Sequence, residues 1–162
     1  MAQKASTPIS STLDDQDRDR AGSALQDTLT DLIDLSLVAK QAHWNLVGRQ
    51  FHDVHLHLDE LVDTARRYTD EVAERCATIG VSPDGRAATV SKGSGVPEFP
   101  SGWISDREVI NRIFESVDTV ARRLRPRIEE AGEVDPLTED LLISAGRDLE
   151  MARWMWQAQN TD

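Results

Sequence analysis

A disulfide is the first thing this chain cannot make, because Cys76 is its only cysteine. Such a residue is expected as a small buried apolar group, and nothing here calls for an oxidising compartment. Long apolar runs are also missing. No stretch reaches the length of about 18 residues that a membrane helix needs, and the N-terminus carries no basic-then-apolar signal pattern. The expectation is a soluble, cytoplasmic protein without membrane contact. Positive charge is scarce: 18 Lys and Arg stand against 29 Asp and Glu, a formal net charge of -11. A field of that sign opposes nucleic-acid binding and draws cations. Aromatic residues are only 5% of the chain, so Trp44 stands out. Internal repeats and strand-like alternation are absent.

What is present is helical periodicity, in a chain of 162 residues that fits one domain with a sizeable core. Residues 1–18 are rich in Ser, Thr, Asp and Gln and read as a flexible arm, leaving 19–162 for the folded domain. From Asp19, Leu25, Leu29, Leu32, Ile33, Ser36, Ala39, Lys40, His43 and Val47 recur at spacings of three and four, until Gly48 stops the pattern. Phe51, Val54, Leu58, Leu61, Val62, Ala65, Val72, Ala73, Cys76 and Ile79 form a second stripe that ends at Gly80. Ser105 with Glu108 makes a capping box for a third helix, which carries Pro126 inside it and runs to Gly132. Pro136 opens a fourth, whose expected buried side is Leu137, Leu141, Leu142, Ala145, Leu149, Ala152 and Met155. Between the second and third helices, Val81 to Ser105 holds Pro83, Pro97, Pro100 and several glycines, with room for a short helix over Arg86–Ser91. Two short links and one long one predict an all-α, ferritin-like four-helix bundle with a crossover.

The second helix also carries chemistry. His55 and Asp59 lie one turn apart, as do Asp70 and Glu74, and His43 sits just upstream. Imidazole and carboxylate together suit iron, manganese or zinc. Each residue alone fits a blander role: Asp59 paired with Arg66, Arg67 or Lys40, and Asp70 and Glu74 on a solvated face. Only the constellation argues for metal. Asp59 and Asp70 stand about 16 Å apart along a straight helix at roughly 1.5 Å per residue, too far for one centre. A second copy, packed antiparallel about a two-fold axis, would bring His55 and Asp59 of one chain opposite Asp70 and Glu74 of the other, twice over. There is no His-Glu-x-x-His run and no Glu-x-x-His pair on two helices, which disfavours a zinc protease and a di-iron site inside the bundle.

The run Lys40-Gln41-Ala42-His43-Trp44-Asn45-Leu46-Val47-Gly48, followed by Phe51, Val54-His55, Leu58-Asp59 and Asp70-Glu71-Val72-Ala73-Glu74-Arg75, resembles the Dps proteins of the ferritin superfamily. The likeness continues through Arg147-Asp148-Leu149-Glu150 to Trp154 and Trp156. It implies a hollow homododecamer built on two-fold and three-fold interfaces. It implies oxidation of Fe(II), preferentially by hydrogen peroxide and otherwise by dioxygen, with ferric mineral stored inside as protection against oxidative stress. By position, His43, His55 and Asp59 correspond to di-iron ligands from one subunit, and Asp70 and Glu74 to those of its mate. Zinc or manganese would compete for the same ligands. Trp44, beside a ligand, corresponds to a residue placed to give or absorb an electron.

In this family acidic residues near the start of the last helix line three-fold pores, and here Glu133, Asp135, Glu139 and Asp140 occupy that region. The plain alternative is favourable charge at a helix N-terminus. Family members that bind DNA usually carry lysine-rich tails. Here Lys4, Arg18 and Arg20 face Asp14, Asp15, Asp17 and Asp19, so DNA binding is expected to be weak or absent. A different class of function, metal-activated hydrolysis of an amide or ester at the same ligands, finds no hydrolase motif to support it.

Overall fold

The computed structural model describes residues 8–160. Five helices account for most of it: α1 Asp15–Asn45, α2 Phe51–Thr78, α3 Ala87–Gly93, α4 Asp106–Gly132 and α5 Pro136–Ala158. The four long helices pack as a bundle around one apolar core, and α3 rides on the crossover between α2 and α4. Leu25, Leu32 and Leu35 of α1, Leu58 of α2, Ile113 of α4, and Leu142, Leu149 and Trp156 of α5 are fully enclosed. Burial of side chains of this size, worth about 1.5–3 kcal/mol each, is what selects the helical register.

The helix ends follow from local chemistry. Asp14 caps α1, its carboxylate accepting from the Asp17 N–H at 2.9 Å. The helix therefore starts four residues before the expected Asp19 and inside the stretch expected as a flexible arm, of which residues 1–7 lie outside the described residues. Ser105 caps α4 by accepting from the Glu108 N–H at 3.3 Å, as the capping box predicted. α4 runs through Pro126 to Gly132 as one helix. Asp135 caps α5, with Pro136 in its first turn.

Two details depart from the periodicity. Val47, Phe51, Leu137 and Met155 belong to the expected apolar stripes but are exposed. There is also a small piece of sheet that the residue pattern did not announce: Leu46–Val47 and Ile104–Ser105 pair in parallel, tying the α1–α2 turn to the end of the crossover. In that turn Gly48 has φ 144°, and a Cβ there would meet the Asp106 carboxylate at 2.2 Å. Only glycine satisfies both conditions.

The crossover is fastened from below. Asp31 of α1 is fully buried, and its carboxylate accepts from the Gly95 N–H and from the guanidinium groups of Arg123 and Arg127, each at 2.8 Å. A buried carboxylate is tolerable only with such partners. The side-chain amide of Gln26 makes two bonds to the Asp84 backbone, at 2.9 and 2.8 Å. Nothing in the apolar periodicity pointed to Asp31, because a buried acid reads as solvent-facing until its partners are known. Among the described residues no helix is long and apolar enough to cross a membrane.

Candidate metal centre

The Gly48 turn folds α2 back along α1 and brings the last turn of one against the first turns of the other. His43 and His55 meet there with rings stacked, centroids 3.6 Å apart and planes 23° apart. Phe51 stacks on the other side of His55 at 5.0 Å. Nδ1 of His43 lies 3.1 Å from the His55 carbonyl oxygen, and Nδ1 of His55 lies 3.1 Å from the His43 carbonyl oxygen. A carbonyl only accepts, so each Nδ1 carries the hydrogen and each Nε2 keeps its lone pair for a metal.

Asp59, one turn after His55, completes the cluster. Donor atoms of His43, His55 and Asp59 all fall within 4.8 Å of one another, the one such group of three among the described residues. Burial grades from His43, which is enclosed, to His55 and Asp59, which are partly open. Asp59 pairs with neither Arg66 nor Arg67. Its carboxylate takes the Lys40 ammonium, and its Oδ1 lies 3.3 Å from His43 Nδ1. The Lys40 hydrogen bond first, then the field of His43, holds the Asp59 carboxyl below the usual carboxylate range.

Asp70 and Glu74 sit further along α2, both exposed on the helix and apart from this cluster. One chain thus presents an imidazole-rich cluster where the end of α1 meets α2, and a separate carboxylate pair further along α2. Trp44, next to His43, is 66% exposed. A tryptophan so open at the edge of a ligand cluster is free to meet another molecule.

A family model for the ferritin-like domain matches residues 22–162. DNA protection during starvation protein 2 of Deinococcus radiodurans is 37% identical over 148 residues, which is 90% of this chain and 61% of that protein. The chain therefore spans about three-fifths of that relative's length. The solved structure of Dps92 from Deinococcus radiodurans superposes with a TM-score of 0.87 at 37% identity, covering 90% of each chain. This chain belongs to the Dps family. A second Dps structure, from Microbacterium arborescens in the high iron form, has a TM-score of 0.88 at 28% identity and covers 93% of this chain and 98% of that one.

The four acidic residues at the α4–α5 corner of this Dps chain have unlike surroundings. Asp135 is buried. It accepts from Arg75 at 2.6 Å and from the Thr138 hydroxyl, so its carboxylate is occupied inside the fold. Burial alone would raise its pKa, but the Thr138 hydroxyl and the Arg75 guanidinium outweigh it and hold the carboxyl below its ordinary value. Glu133 is exposed and pairs with Arg20. Glu139 leans over Gly132, where an added Cβ would meet its carboxylate at 2.7 Å. Asp140 is exposed. Cys76 is fully buried, as its sequence context suggested, and burial pushes its thiol up to about 11.

Proposed function

We propose that this protein oxidises Fe(II) with hydrogen peroxide, or with dioxygen, at di-iron sites between subunits, and stores the ferric product as mineral inside a hollow homododecamer. The observation that carries the reading is the His43–His55–Asp59 cluster within 4.8 Å in a chain of the Dps family. Three donors are too few to enclose two irons. Asp70 and Glu74 of a two-fold mate would supply the missing carboxylates, because an isologous contact offers the same helix face twice.

Iron is substrate here, and the residues fit it. Neutral imidazole nitrogen and ionised carboxylate oxygen hold Fe(II) and favour the harder Fe(III) product. Two Fe(II) side by side give two electrons to one hydrogen peroxide, which takes up two protons and leaves as two waters. Passing both electrons together avoids the single-electron step that releases hydroxyl radical. Lys40 holds Asp59 ready as a carboxylate, and the incoming cation displaces it. Trp44 stands where it would donate an electron to a stray oxidant or pack against the mate, two roles that are compatible. Zinc and manganese compete for the same donors.

Iron entry fits a three-fold pore near the start of α5. Asp140 and Glu139 are the members of the expected ring whose carboxylates are not tied to a basic partner in the described contacts, whereas Glu133 and Asp135 pair with Arg20 and Arg75. A ring of carboxylates in a narrow channel concentrates cations. DNA is not a partner in this reading. The chain carries a net charge of -11, and Arg18 and Arg20 are already paired with Asp15, Asp19 and Glu133.

The decisive experiment is anaerobic addition of Fe(II) and then peroxide to the purified protein. Rapid ferric absorbance and a soluble mineral core, with two Fe(II) consumed per peroxide, are expected. Slow oxidation no faster than in buffer removes the reading.

A further inference from the structure

We propose that Tyr68, the single tyrosine of the chain, is a redox-active residue that traps one-electron oxidants formed at the iron site, with Asp148 taking its proton. The proposal rests on the ferroxidase reading above and adds to it a second place where a stray radical ends.

Tyr68 lies on α2 with its side chain turned into the bundle, 4% exposed. Its hydroxyl donates to Asp148 Oδ2 on α5 at 2.8 Å. A buried phenol needs a partner, and a backbone carbonyl would serve. A carboxylate does more, because it is also a base. The same oxygen accepts from Arg67 at 2.6 Å, and the Arg67 guanidinium carbon stands 4.4 Å from the Tyr68 ring centroid. A cation over the ring face is attracted to the neutral phenol and repels a phenol that has lost an electron. The electron therefore leaves only as the proton crosses to Asp148, and the product is the neutral phenoxyl radical. The Asp148 side chain is 46% exposed and lines a cavity of about 160 Å³ between α2 and α5, so the proton has a way on to water.

Position supplies the oxidant. Tyr68 and Asp70 stand about 3 Å apart along the helix axis, at roughly 1.5 Å per residue, and about 200° apart around it. Tyr68 thus faces α5, while Asp70 is exposed on the far side, where the mate would meet it. The phenol stands one helix width behind the carboxylate half of the shared centre, too far to ligate iron and near enough to exchange an electron with it. Trp44 of the mate stands at the imidazole half. In the trapping step the phenol O–H bond breaks and the proton goes to Asp148. The electron goes to a hydroxyl radical, or to the indolyl radical that it leaves on Trp44. That acceptor takes a solvent proton and becomes water or indole. A further Fe(II) then returns one electron to the phenoxyl oxygen and Asp148 returns the proton, so a one-electron escape ends as one more Fe(III).

The deciding experiment needs no iron. Flash oxidation of the assembled, metal-free protein by photogenerated tris(bipyridine)ruthenium(III), followed by transient absorbance, should give a tyrosyl radical in wild type. Tyr68→Phe, which keeps the ring, should give none. Asp148→Asn keeps a hydrogen-bond acceptor but removes the base, and should slow formation of the radical roughly 100-fold. Deuterated solvent should slow it in wild type. With Fe(II) and peroxide, Tyr68→Phe should oxidise iron at the wild-type rate and release more hydroxyl radical to a spin trap. A flash that yields no tyrosyl radical in wild type would overturn the proposal. So would an Asp148→Asn rate equal to wild type, or equal spin trapping in Tyr68→Phe. Iron oxidation no faster than in buffer, with the flash-generated radical intact, would remove the ferroxidase reading and leave Tyr68 and Asp148 as a redox pair for another oxidant.

Discussion

His43 and His55 lock each other's rings: the Nδ1 of each faces the backbone carbonyl oxygen of the other, at 3.1 Å in both directions. The two residues lie on different helices, so this reciprocity depends on the tight turn between them. The consequence is chemical. Both Nε2 atoms are left as donors before any metal arrives, and little reorganisation is needed when it does.

Complementation tests the shared site. Asp70→Ala with Glu74→Ala, and separately His43→Ala with His55→Ala, should each abolish rapid Fe(II) oxidation. Co-expressed in one assembly, the two variants should recover part of it, because a mixed dimer keeps one complete site. Stopped-flow absorbance on mixed assemblies decides the matter, and a mixture as inactive as its parents would rule out ligands contributed across subunits.

Lys40 competes with metal for Asp59. Lys40→Met removes both the bound ammonium and its repulsion of cations, and a partly exposed pair of this kind is worth up to about 1 kcal/mol. Zn(II) binding measured by calorimetry near neutral pH should tighten by about two- to fivefold. Weaker binding in Lys40→Met would mean that Lys40 positions Asp59 and does not obstruct it.

Assembly is measurable directly. Native mass spectrometry should show a species of twelve 18.1 kDa chains. A dimer or monomer persisting at micromolar concentration would remove the cage.

Acid should act through Asp135. Its carboxyl is held below its ordinary value in the fold, with Arg75 and Thr138 as partners. A depressed folded pKa contributes stability that is fully present above the unfolded value, about 3.9, and is lost as pH falls through the folded value. Asp135→Asn should therefore melt lower than wild type at pH 7, with the gap closing below about pH 4. Thermal melts followed by circular dichroism across that range read the gap, and a difference independent of pH would assign Asp135 a capping role alone.

DNA should not be retained. In mobility-shift assays near physiological salt, no complex is expected, because the chain has a net charge of -11 and Arg18 and Arg20 are internally paired. A salt-sensitive complex would point to basic residues outside those pairs.

Much of this was legible in the residue pattern, for identifiable reasons. Stripes of apolar residues at three and four gave the long helices, and the capping box at Ser105 and Glu108 fixed the start of α4. The turn-spaced ligands on α2 were readable because helix geometry converts spacing into position. Other features depend on partners distant in sequence. Asp31 looks like any surface acid until Arg123 and Arg127, on another helix, close over it. The Lys40–Asp59 pair was foreseeable only as one option among several, since Arg66 and Arg67 are nearer in sequence. Met155 sat on an apolar stripe and is nevertheless open, because α2 and α5 part there to form a groove.

The fastening of the crossover has a consequence for proteolysis. Gln26 holds it at Asp84, Asp31 holds it at Gly95, and the Leu46–Ile104 pairing holds its end. A protease must draw a long extended segment into its cleft, and between these anchors only short spans of backbone are free. What reads as one long, proline-rich loop behaves as a row of stitched hems, and cutting it requires a seam to open first.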